Sequence, residues 1–69
     1  MSTYVYFLFA DGGDLAGVGA LFEPDDGAAG GAAPDLLAQS LDAARIEIWR
    51  GDDLVTTVGA TAPTDAWTV

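Results

Sequence analysis

Tyr4-Val5-Tyr6-Phe7-Leu8-Phe9-Ala10 is a run of seven uncharged aromatic, β-branched and aliphatic residues. That composition favours a strand, and the run is too short to span a membrane. Tyr4, Tyr6 and Leu8 share one parity, and Val5, Phe7 and Phe9 share the other. A strand wet on one face alternates apolar with polar residues, and this one does not. It therefore belongs at the centre of a sheet, with each face covered.

The flanking segments read outward from this strand. Asp11-Gly12-Gly13-Asp14 is a turn signal, because Gly takes positive φ freely and Asp tolerates it. Residues 15–22 form a second strand, weakened by Gly17 and Gly19 and so suited to an edge or a bulge. Glu23-Pro24 ends it. Asp25-Asp26 would suit the positive end of a helix. Gly27, Gly30 and Gly31 each cost roughly 1 kcal/mol against Ala in a helix interior, however, so residues 25–33 read as a loop. Pro34 suits a first helical position. The helix expected over 34–44 sets Leu37, Leu41 and Ala44 on one side, with Leu36 and Ser40 at its edge. At about three turns it must pack on the sheet to persist.

Arg45-Ile46-Glu47-Ile48-Trp49-Arg50 alternates cleanly, with Ile46 and Ile48 toward the helix and Arg45, Glu47 and Trp49 away from it. Gly51-Asp52-Asp53 is a hairpin loop, and residues 54–58 are the return strand. The expected domain is 1–59, followed by a tail at 60–69 that contains Trp67 and Val69.

The order is thus β-β-α-β-β. The helix joins the second strand to the third, which makes those two parallel. Placing the first strand between them makes every neighbouring pair antiparallel. The fold class is α+β: a four-stranded antiparallel sheet in order 2-1-3-4, with one helix on one face. The all-apolar strand then lies inside and the glycine-weakened strand at an edge, so independent cues agree.

With the strands placed, the chain resembles a group of short, uncharacterised bacterial proteins. The matching residues are Tyr4, Phe7, Leu8, Asp11 and Gly12, then Phe22-Glu23-Pro24-Asp25-Asp26, then Glu47-Ile48-Trp49-Arg50-Gly51 with Leu54-Val55. The match covers roughly residues 3–58. In that pattern a helix begins directly after the acidic cluster, and this sequence departs from it at Gly27 to Pro34. The resemblance implies no activity.

Composition limits the function classes. A chain of 69 residues is one domain and buries only ~60% of its unfolded surface. There is no Cys, which excludes disulfides and thiolate zinc sites, and no His, the commonest metal ligand and general base. Two Lys+Arg stand against eleven Asp+Glu, for a formal charge of −9. Nucleic acid and anionic membranes both need a positive footprint, so neither is an expected partner. Solubility is one reading of the acidity and a basic protein partner is the other. The N-terminus has no basic region before its apolar run, so it does not read as a secretory signal, and the expected location is cytoplasmic.

The carboxylates come in pairs, Asp11/Asp14, Asp25/Asp26 and Asp52/Asp53, each in a turn where Asp is common for backbone reasons. No stretch fits an EF-hand. Glu23 and Glu47 are the candidates for acid/base work, and Glu47 has a plainer reading as a pairing partner for Arg45 or Arg50. Ser2 and Ser40 have no His or Lys to activate them. The glycine pairs carry no phosphate-loop pattern. No catalytic residue, cofactor or metal ligand is therefore assigned, and the chain is not expected to be an enzyme.

The expected function is a small non-catalytic domain that self-associates or binds protein, with a homodimer as the first expectation. The association surface is placed at Tyr4, Tyr6, Leu8 and Trp49 or their opposite-parity neighbours. The alternative is a weak ion-binding or enzymatic role through the loop carboxylates. One short helix covers one sheet face only. The other face requires a second copy or the tail, through Trp67 and Val69.

Overall fold

The computed structural model describes residues 1–59; the expected tail, with Trp67 and Val69 as a lid, lies outside the described residues. In chain order the elements are β1 (Ser2–Phe9), β2 (Leu15–Glu23), α1 (Asp26–Gln39), β3 (Arg45–Arg50) and β4 (Asp53–Gly59). The four strands form one antiparallel sheet in order β2-β1-β3-β4, and α1 packs on one face. This is the α+β architecture and strand order expected from the sequence.

The hairpins form where glycine permits them. Between β1 and β2 the Ala10 N–H donates to the Asp14 carbonyl at 2.7 Å, and the Gly13 N–H to the Ala10 carbonyl at 2.8 Å. Gly13 has a φ of 94° and Gly51, between β3 and β4, a φ of 61°. Both lie in the left-handed region that a side chain disfavours.

Register decides which side chains meet. Tyr6 lies between Gly19 and Ile48, and Leu8 between Gly17 and Ile46. These residues face α1. Tyr4, Leu8, Ile46 and Ile48 are buried there with Ala29 and Ala33 of the helix. Tyr6, Leu21, Leu36, Leu37, Val55 and Val58 pack around them.

The glycines of β2 belong to this packing. A Cβ on Gly19 would lie 2.4 Å from the Tyr6 ring, and one on Gly17 3.3 Å from Leu8 Cδ1. The large β1 side chains lean sideways over the two glycines, which have no side chain to resist them. A register shift between Leu8 and Phe9 opposes Phe9 to Leu15 and makes the bulge that the glycine-rich strand suggested.

The helix corrects the sequence expectation at both ends. It starts at Asp26 rather than near Pro34, and runs through Pro34 to Gln39 rather than to Ala44. Asp25 caps it, its carboxylate accepting the Ala28 N–H at 2.8 Å. Propensity disfavours a helix over the Gly-Ala run, but packing outweighs it. Ala29 and Ala33 are wholly buried, and Gly30 sits against Thr56, so small residues let the helix lie close to the sheet. At the other end the Ser40 N–H bonds the Leu37 carbonyl at 3.1 Å and the chain turns away. Leu41, expected on the helix's apolar side, is almost wholly exposed.

Candidate association surface

The sheet has two unlike faces. Tyr4, Tyr6 and Leu8 turn toward the helix, while Trp49 turns to the opposite face with Val5, Phe7 and Phe9. The four residues named for the association surface therefore do not share one. Of the two β1 parities, the odd-numbered one joins Trp49 on the open face, because Val5 is the cross-strand partner of Trp49.

Across the open face run Phe22, Ala20, Val18 and Leu15 of β2; Val5, Phe7 and Phe9 of β1; Trp49, Glu47 and Arg45 of β3; and Leu54 and Thr57 of β4. Phe22 is 62% exposed, Leu15 59%, Val18 58%, Leu54 50% and Val5 39%. Apolar atoms dominate the β2 and β1 half.

The charge on this face is self-contained. Glu47 accepts from Arg45 through one carboxylate oxygen and from the Trp49 indole N–H through the other, at 3.1 Å. The Arg45 guanidinium lies 4.2 Å from the centre of the Phe9 ring, a cation–π contact. Glu47 thus has the role of pairing partner, with both oxygens engaged. The described residues enclose no pocket beside it or elsewhere.

Under the helix end lies a second polar group. The Tyr4 hydroxyl donates to Asp26 Oδ1 at 2.7 Å, and Arg50 donates to the same oxygen at 2.7 Å. Arg50 also lies 3.8 Å from Asp53. Burial raises the Tyr4 phenol above its ordinary pKa, and the hydrogen bond to Asp26 raises it further. Two of the acidic pairs thus meet at one end of the sheet, and the cation between them is Arg50. The other pair, Asp11/Asp14, lies at the opposite end, since β1 and β3 run antiparallel. Among the described residues no three acidic groups converge as a metal site would require. The sequence pointed to Asp26 as a helix-capping candidate and as one of a pair of loop carboxylates. Its bonds to Tyr4 and Arg50 had no local signal, because the partners are 22 and 24 residues away.

No described helix is long and apolar enough to cross a membrane. No family model, curated protein or solved structure matches this chain.

Proposed function

We propose that the protein is a small non-catalytic domain that self-associates through the open sheet face. The observation that carries this reading is the contrast on one acidic molecule: a formal net charge of −9, yet a broad apolar face whose only ion pair among the described residues is internally neutral. A second copy can lay the same face against it without bringing unpaired carboxylates together. A basic partner would find no free acid there.

The dimensions suit a small interface. Four strands about 4.8 Å apart and about 25 Å long project to roughly 500 Å². A corrugated surface exceeds its projection, which brings each partner toward the ~600–800 Å² of a modest stable interface. Burying the exposed halves of five large side chains on each of two copies contributes on the order of 7–15 kcal/mol gross. Association costs offset much of it, so a micromolar dimer is expected.

Light scattering on the full chain across a range of concentrations tests this. Val5 sits mid-face between Ala20 and Trp49. Val5→Lys is expected to weaken association on the order of 100-fold by placing two ammonium groups in the contact. A full chain that remains monomeric at about 100 μM, well above a micromolar dissociation constant, would overturn the proposal.

A further inference from the structure

The outer edge of β2 is a second surface, distinct from the open face. Its backbone polarity follows from two turns. The Ala44 N–H donates to the Phe9 carbonyl at 2.7 Å, so the odd residues of β1 direct their backbone groups toward β3. Ala10 bonds across the first turn, through both its N–H and its carbonyl, so the even residues direct theirs toward β2. The partners of those even residues are Gly17, Gly19, Leu21 and Glu23. By alternation, Val18, Ala20 and Phe22 aim their N–H and C=O groups outward. No described strand pairs with them.

Edge strands are commonly protected by Lys, by Pro, by inward charges or by brevity. β2 is the longest strand in the sheet, at nine residues, and residues 15–22 carry no charge and no proline. β4, at the other edge, is seven residues long; each edge strand has one acidic end residue, Glu23 or Asp53, and one register shift. The longer β2 offers the longer unpaired edge.

We propose that β2 is a self-pairing edge: a second copy adds its own β2, antiparallel, across a two-fold axis at Val18. The segment Leu15-Ala16-Gly17-Val18-Gly19-Ala20-Leu21 reads the same in both directions. Under that axis Val18 meets Val18, Gly19 meets Gly17 and Ala20 meets Ala16, each its own kind; beyond Ala16 the bulge turns Leu15 to the open face, away from the face of Leu21. No charge opposes another along the segment, and the outward groups of Val18 pair with their own copies. A strand from a basic partner would find no carboxylate between residues 15 and 22 to recognise. The axis sets Asp14 opposite Phe22 of the second copy and beside its Glu23, so edge pairing strengthens as salt rises. The pairing also joins the apolar strips of the two open faces into one.

The test uses the full chain and reads two things. Residue-resolved amide exchange at low and high protein concentration should show Val18 and Ala20 becoming protected as concentration rises. Gly17, Gly19 and Leu21, bonded to β1, stay protected throughout. Light scattering then compares wild type with Ala20→Pro and Val5→Lys. Ala20→Pro removes one outward N–H and no β1–β2 bond, and should weaken association on the order of tenfold or more. Val18 and Ala20 amides that stay unprotected at high concentration overturn the edge, whatever the behaviour of the proline variant. Association lost in Ala20→Pro but kept in Val5→Lys supports the edge and removes the open-face reading. The reverse result supports the face and removes the edge. A wild-type monomer removes both.

Discussion

The two faces of one sheet are built from the same strands and have opposite fates. Toward the helix, Tyr4, Ile46 and Ile48 lose all contact with solvent. One residue further along each strand, Val5, Glu47 and Trp49 point to a face that no described element covers. The apolar content of β1 is nearly equal on both sides, so the difference comes from β3, apolar at Ile46 and Ile48 and charged at Arg45 and Glu47, and from the small residues of the helix. Ala29, Gly30 and Ala33 give the helix a flat side that seats on Ile46, Ile48 and Thr56, and Asp26 receives the Tyr4 hydroxyl that this burial would otherwise strand. The covered face is specified by shape and one hydrogen bond, and the open face is left with apolar area and a self-neutralised ion pair.

That contrast predicts unequal costs of truncation. Ile48→Ala, under the helix, should destabilise by about 2–5 kcal/mol through lost burial and the cavity left behind. Leu54→Ser, on the open face, should change monomer stability by less than about 0.5 kcal/mol while weakening self-association. Denaturant titration at low protein concentration compares the two. Equal costs would mean that the open face is covered within the monomer.

The glycines of β2 sharpen the comparison further. Gly19→Ala places a Cβ where the Tyr6 ring lies, and should cost about 1–3 kcal/mol as the ring swings aside. Combining it with Tyr6→Ala should recover part of that loss, as residues in contact do not add. Thermal melts of the single and double variants decide this; additive losses would show that the ring does not depend on the glycine.

The smallest effect is confined to alkaline solution. The folded state holds the Tyr4 proton more tightly than the unfolded chain does, because burial and Asp26 disfavour the phenolate. This contribution is therefore fully present below about pH 10, the unfolded value, and is lost as pH rises through the raised folded value. Melting midpoints from pH 7 to 11 should fall above pH 10 in wild type and fall less steeply in Tyr4→Phe. Parallel profiles would show that the Tyr4 phenol titrates alike in both states.

Some of this structure was legible from local pattern. The alternation of Arg45–Arg50 predicted β3 at its observed bounds. The uncharged first strand implied an interior position, and the glycines of β2 implied an edge or a bulge, of which the strand has both. Glu47 could be read as the partner of Arg45, because strand period 2 sets them on one face. The helix was not legible in the same way. Gly27, Gly30 and Gly31 argue against a helix on propensity, and Leu41 and Ala44 fit a helical period they do not follow.

The amino-acid sequence by itself determined the four strands, their antiparallel order and the absence of thiol and imidazole chemistry, because strand period, turn residues and composition are local properties. Only the tertiary structure decided where the helix begins, which parity of β1 it covers, and that Asp26 receives both Arg50 and the Tyr4 hydroxyl. The physical reason is distance along the chain. A glycine-rich segment becomes helical only because a sheet formed by residues far from it in sequence offers Thr56, Ile46 and Ile48 for its small side to rest on.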